Sequence, residues 1–126
     1  MMQEIDRVIR KWASRKFAYG MTDCCRFAAD VVLAKTGTDF MDEWYYADEA
    51  TAKRLIQKHG GLRNAITSEL GEPCDIDDTT DGDVLLVHIP GIGDSAAVRF
   101  KDRAIVRTME GVTDWSLDRA ICGWSV

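Results

Sequence analysis

The hydrophobic periodicity of the chain changes about halfway along its 126 residues. Up to about residue 70, apolar residues recur at helical spacing, and after Asp81-Gly82-Asp83 they form short runs that favour strands. A chain with helices first and antiparallel strands afterwards is typical of the α+β class. Its length and 46% hydrophobic content suit one domain with a buried core, spanning residues 1–126.

The first half predicts four helices, each marked by an apolar stripe or by a residue typical of a helix end. The first carries the stripe Ile5, Val8, Ile9 and Trp12. The others are expected at about 23–35, from an N-cap at Asp48 to Gly60-Gly61, and at 62–70.

The second half predicts strands at 84–89, 95–100, 104–108 and 120–126, in an antiparallel sheet of about five strands. Residues 90–94 are expected to form a loop, and Lys101-Asp102-Arg103 a hairpin turn. The expected architecture is therefore N-terminal helices packed on a C-terminal sheet.

Charge and hydropathy exclude several functions. The net charge is −5, whereas nucleic-acid binding usually needs a basic surface. The basic residues at 7–16 follow helical spacing and are interpreted as a solvated face. No apolar run approaches the length of a membrane span, and residues 1–10 lack the apolar core of a secretory signal. The four cysteines are accordingly expected to be reduced.

The segment 17–27 contains the clearest chemical signal. It places Cys24 in the first turn of a predicted helix, where unpaired N–H groups and the helix dipole favour a thiolate. A thiolate is the reactive form of cysteine, so a nucleophile is one interpretation. Spacing alone leaves another open, in which Cys24 and Cys25 are small buried hydrophobic residues.

Two motifs resemble those of NlpC-type cell-wall peptidases, a papain-like superfamily. They are Tyr19-Gly20-x-x-Asp23-Cys24-x-x-Phe27 and Gly82-Asp83-Val84-Leu85-Leu86. Phage-encoded relatives are more similar still, since the chain also has Phe17-Ala18-Tyr19-Gly20, Phe27-Ala28-Ala29-Asp30 and a final Gly123-Trp124-Ser125-Val126. The resemblance implies an NlpC-type fold and a place among phage tail proteins.

The resemblance also implies roles for individual residues. Cys24 takes the position of the nucleophile, and Asp23 is its acidic neighbour, a helix cap more than a catalyst. Cys25 replaces a serine of the peptidase motif, and Arg26 replaces its glycine. Arg26 is therefore expected to bring a bulky cation beside the nucleophile.

The sequence departs from the peptidases where they carry a catalytic histidine. Ser95 or Ala96 takes that position, and neither is a base near neutral pH. The third catalytic position falls near Arg107, which cannot accept a proton. Of the two histidines, His59 ends a helix, where a cation suits the dipole. His88, on the neighbouring strand, is the remaining candidate for the base.

These features leave three functional hypotheses. The first is a structural component of a phage tail tip without a catalytic histidine, made in the bacterial cytoplasm and found in the virion with other tail-tip or tail-hub proteins. The second is an active cysteine endopeptidase that cuts peptidoglycan stem peptides as the phage genome enters the cell. The third is an inactive domain that still binds cell-wall peptide.

The sequence predicts neither a cofactor nor a metal. The acidic run 75–83 matches an EF-hand loop in part, but His88 stands where the bidentate glutamate is required. The cysteines lack the spacing of a zinc or iron–sulfur site. Trp44-Tyr45-Tyr46 is expected to form a loop that closes over the cysteine cleft and contacts a partner.

Overall fold

The computed structural model describes residues 2–18 and 23–126. Within these residues, four α-helices precede an antiparallel sheet of five strands, as the α+β prediction requires. The helices are α1 (Met2–Ala13), α2 (Cys24–Thr36), α3 (Glu49–Lys58) and α4 (Leu62–Leu70). The strands are β1 (Val84–Ile89), β2 (Gly93–Phe100), β3 (Arg103–Thr108), β4 (Gly111–Ser116) and β5 (Ala120–Trp124). Tyr19 and Gly20 of the cysteine motif lie outside the described residues.

The sheet has the strand order β4-β3-β2-β1-β5, so β1 and β2 lie near its centre. The helix α2 packs on β2 and β3, and α1 packs on α2 and β4. Side chains alternate between the two faces of a strand. Ala96 and Val98 accordingly join the core beneath the helices, whereas Ala97 belongs to a second apolar cluster on the opposite face.

The helix α2 forms because its sequence supplies both ends and a buried face. Asp23 caps the N-terminus, accepting a hydrogen bond from the Arg26 N–H at 2.9 Å. Gly37 ends the helix in the left-handed region (φ 84°), and its N–H bonds to the Leu33 carbonyl at 2.8 Å. Between these ends, Phe27 is fully buried and meets the Trp12 ring edge-on at 5.6 Å. The helix therefore brings its first residue to a fixed place above the sheet.

The strand β4 was not predicted from the sequence. It has no apolar run, and none of its residues is fully buried, because it lies at the edge of the sheet. The other differences are small: β2 begins at Gly93, within the predicted loop, and β5 ends at Trp124. The hairpin turn lies where it was predicted, with Lys101 and Asp102 at φ 50° and 60°.

The motif Gly82-Asp83 closes the turn that precedes β1. Asp83 is fully buried and accepts hydrogen bonds from Lys35 Nζ at 2.7 Å, Thr80 N at 2.8 Å and Val126 N at 3.0 Å. Nearby, Asp81 Oδ1 accepts a hydrogen bond from the Lys101 N–H at 3.0 Å. These acidic residues thus tie the turn to other parts of the fold.

None of the helices in the described part of the chain has the length and apolarity needed to cross a membrane.

Candidate functional site

Cys24 is the first residue of α2, and the residue before it fixes this end of the helix. Asp23 is 4% exposed. Its Oδ1 caps the helix, and its Oδ2 accepts a 2.6 Å hydrogen bond from the Tyr46 hydroxyl. With both oxygens engaged, the carboxylate positions the cysteine, as a helix cap does.

The sulfur of Cys24 lies next to the thiol of Cys25. The Sγ atoms of Cys24 and Cys25 are 3.9 Å apart. The Cys25 S–H and, to a smaller extent, the backbone N–H groups of Ala96 and Cys25 lower the pKa of Cys24, against burial and the negative charge of Asp23. The same contact, with burial, raises the pKa of Cys25 well above its usual value. Cys24 is therefore the thiol of the pair that ionises first.

Ala96 is a residue of the central sheet that influences the sulfur. It lies on the helix-facing side of β2, it is fully buried, and its backbone N–H helps to lower the pKa of Cys24. Ser95 is also buried and lies in the same cleft, but alternation turns its side chain toward the opposite face of the strand. Of the two residues expected at the histidine position, Ala96 is the one opposite Cys24.

Arg107 occupies the corresponding place on β3. Val98 pairs with Ile105, and Arg107 lies two residues beyond Ile105, as Ala96 lies two residues before Val98. Arg107 is 3% exposed. Its guanidinium donates to the Arg15 carbonyl at 2.6 Å and lies 6.0 Å from the centre of the Phe17 ring. The position on β3 that lies beside Ala96 thus holds a buried cation.

The two histidines make contacts of their own. His88 lies on β1 with a 59% exposed side chain, and its Nδ1 is 3.0 Å from Asp94 Oδ1. His59 follows α3, where Nδ1 is 2.9 Å from the Leu55 carbonyl oxygen and the ring stacks on Trp44 at 4.9 Å. The described contacts of both rings are therefore with residues other than Cys24.

A cleft of about 490 Å³ opens beside Cys24, a size that suits a small peptide. Its walls are mainly apolar, and they include Phe17, Phe40, Met41, Trp44 and Ile92. Charged residues also line it, namely Asp23, Glu49, Lys53, Glu69, Asp94 and Arg107.

One wall of the cleft is the loop that joins α2 to α3, and Arg26 holds it in place. The guanidinium donates to the Met41 carbonyl at 2.8 Å and to the Trp44 carbonyl, and it lies 5.6 Å from the centre of the Tyr46 ring. The guanidinium therefore holds the loop in place, and its charge also acts on the neighbouring Cys25, whose pKa it lowers against the larger effects that raise it. On the other side of the loop, Trp44 Nε1 donates to Glu69 Oε1 at 3.1 Å.

Sequence reasoning missed the roles of Arg26 and Tyr46 in this wall. Arg26 bonds residues 15 and 18 positions away, and Tyr46 bonds Asp23 from 23 positions away. No local motif marks contacts over such separations. The expected position of Trp44-Tyr45-Tyr46 at the cysteine cleft agrees with the structure, since Trp44 and Tyr46 line it.

The family described as Domain of unknown function (DUF6950) matches residues 2–126. The chain belongs to the DUF6950 family. Among curated proteins, no match to this DUF6950 sequence was found.

The fold of this DUF6950 chain is similar to a solved structure, the crystal structure of the NlpC/p60 domain of peptidoglycan hydrolase SagA. The TM-score is 0.62 at 17% sequence identity, and the alignment covers 100% of this chain and 99% of that one. The predicted NlpC-type α+β fold is thereby confirmed.

Proposed function

We propose that this DUF6950 chain is a structural component of a phage tail tip that has the NlpC/p60 fold but does not hydrolyse peptide bonds. One observation carries the proposal: Ala96, the β2 residue whose backbone N–H helps to lower the pKa of Cys24, has a methyl side chain and therefore offers no base.

The chemistry of amide cleavage explains why this contact matters. A thiolate at Cys24 can attack a carbonyl carbon, but the departing amine then needs a proton. Ala96 carries no acid or base, and the guanidinium at position 107 has hydrogen-bond donors but no acceptor. General acid–base catalysis is typically worth about 10²–10⁴-fold, so its loss leaves hydrolysis slow.

The tail assignment is supported by the resemblance of segments 17–30 and 123–126 to phage-encoded relatives. It implies that the chain is made in the bacterial cytoplasm, is found in the virion, and has other tail-tip or tail-hub proteins as partners. Tyr45, with 78% of its surface exposed beside the cleft wall, is a candidate partner contact. Mass spectrometry of purified phage particles tests the assignment, and absence of the chain from intact particles would contradict it.

The absence of hydrolysis is tested on purified cell walls. The native protein and Cys24→Ala are incubated with peptidoglycan, and soluble fragments are measured by mass spectrometry. We expect both proteins to release no more than buffer, while an active NlpC/p60 hydrolase releases fragments in parallel. Fragment release by the native protein that Cys24→Ala abolishes would overturn the proposal.

The lowered pKa of Cys24 favours a second candidate, an active cysteine endopeptidase that cuts stem peptides. In this alternative Cys24 is the nucleophile and His88 the base. The two candidates differ in the effect of His88→Ala on the pH profile of Cys24 alkylation. A thiolate–imidazole pair requires that reactivity at acidic pH be lost in this variant. We expect an unchanged profile, because His88 is exposed and paired with Asp94.

A further inference from the structure

Arg107 is a buried cation without a described counter-charge. Its side chain lines the cleft beside Cys24, and the residue is only 3% exposed. Among residues 2–18 and 23–126, no carboxylate forms an ion pair with it. Its Nε–H is buried as well, and it has no hydrogen-bond acceptor within those described residues. The guanidinium has two described contacts, a hydrogen bond to the Arg15 carbonyl and a cation–π contact with the Phe17 ring.

Such an arrangement is costly for a domain that keeps its cleft empty. A buried charge is normally paired, and an unpaired one is strongly destabilising. A buried donor without an acceptor adds a further penalty. Both costs fall when an anion enters the cleft and accepts from the guanidinium. Carboxylates match the fork of N–H donors in an arginine side chain.

The rest of the cleft narrows the class of ligand. Its walls are apolar, and acidic side chains also line it, including Glu49, Glu69 and Asp94. These carboxylates, with the net charge of −5, disfavour a polyanion such as a nucleotide or a nucleic acid. A short peptide meets the same constraints, because it combines apolar side chains with a single negative charge at its C-terminus.

We propose that the cleft binds a peptide by its free terminal carboxylate, which pairs with Arg107. The apolar residues of the peptide then lie against Phe17, Trp44 and Ile92. The inference rests on the proposed function in one respect: the bound peptide stays intact, so the site retains a ligand and does not turn over a substrate.

The first test compares two probes on the unmodified protein. The probes are acetyl-Ala-Leu-Ala with a free C-terminal carboxylate and the same peptide as its C-terminal amide. Binding is followed by NMR chemical shifts of backbone amides around the cleft, which detect millimolar affinities. We expect the acid to bind about tenfold more tightly than the amide, as the loss of one charge-assisted hydrogen bond implies. Equal affinities, or no binding of either probe, would refute the proposal.

Variants then assign the preference to Arg107. Arg107→Leu is expected to remove the difference between acid and amide, whereas Arg107→Lys retains part of it because the charge remains. Arg103→Leu is the matched control, since it makes the same substitution on the same strand at an exposed position outside the cleft. This control should leave the preference unchanged. If Arg107→Leu does not fold, the comparison of acid and amide on the native protein still tests whether the cleft recognises a terminal carboxylate.

A competition experiment with inorganic phosphate, at matched ionic strength, tests whether the site binds any anion. If phosphate displaces the acid peptide at equal concentration, the site is a general anion site and the peptide assignment fails. The outcomes also separate this inference from the proposed function. If the protein hydrolyses cell walls, the proposal that it is catalytically inactive fails, but the preference for the acid peptide over the amide can still be measured. Loss of the preference in a protein without hydrolysis would overturn the carboxylate site alone.

Discussion

At the level of single residues, the Cys25 thiol is the largest influence that lowers the pKa of Cys24. Replacing Cys25 with alanine removes the S–H donor, so the pKa of Cys24 should rise. We expect the midpoint of its pH-dependent alkylation by iodoacetamide to move to higher pH in Cys25→Ala. Mass spectrometry of the peptide that contains residue 24 gives the rate at each pH.

Serine at position 25 provides the matched control. Its hydroxyl retains a donor beside the sulfur, so Cys25→Ser should have a midpoint closer to that of the native protein than Cys25→Ala does. Cys74 and Cys122 are replaced by alanine in every protein of the series, which leaves positions 24 and 25 as the source of any difference. An unchanged or lower midpoint in Cys25→Ala would show that Cys25 does not stabilise the thiolate.

At the level of elements, the turn before β1 is packed tightly against both N-terminal helices. Gly82 has φ 88°, and a Cβ there would lie 2.9 Å from Lys35 Cδ and 3.0 Å from Ile5 Cδ1. Gly37 has a similar φ of 84°, but nothing lies within 4 Å of a Cβ built on it. The two glycines therefore separate the cost of backbone conformation from the cost of crowding.

Alanine at the two positions should accordingly have different effects. Gly37→Ala is expected to lower the free energy of unfolding by about 1–2 kcal/mol, the cost of a left-handed backbone for an L-residue. Gly82→Ala adds about 1–3 kcal/mol of overpacking, because the ion pair with Asp83 holds the Lys35 side chain in place. Urea unfolding measures both variants. Equal losses, or a larger loss in Gly37→Ala, would contradict the crowding at Gly82.

The elements also show which parts of the fold the sequence could predict. Helix boundaries were predicted within about one or two residues, because local signals such as the Asp23 and Asp48 caps specify them. The strand β4 was missed, since its pairing with β3 compensates for a weak local pattern. In the same way, the position of Cys24 on its helix was predictable, whereas the contacts of Arg26 depend on the tertiary fold.

At the level of the whole molecule, Asp83 joins three distant parts of the chain. Lys35 belongs to the helical layer, Thr80 to the turn before the sheet, and Val126 follows the last strand. Each donates to the same carboxylate, which has no access to solvent. Removal of the carboxylate leaves the Lys35 ammonium without a counter-charge, with only the Asp81 carbonyl as acceptor, and leaves two backbone N–H groups without an acceptor.

We therefore expect Asp83→Ala to destabilise the entire domain by about 3–5 kcal/mol, the usual result of breaking a buried ion pair. Urea unfolding followed by tryptophan fluorescence and by circular dichroism should shift to lower urea with coincident transitions, because the carboxylate connects helices and sheet. Asp77→Ala, at an exposed position of the same acidic run, is the control and should unfold near the native midpoint. If the two variants lose the same stability, or if only one of the two probes shifts for Asp83→Ala, Asp83 does not couple the layers.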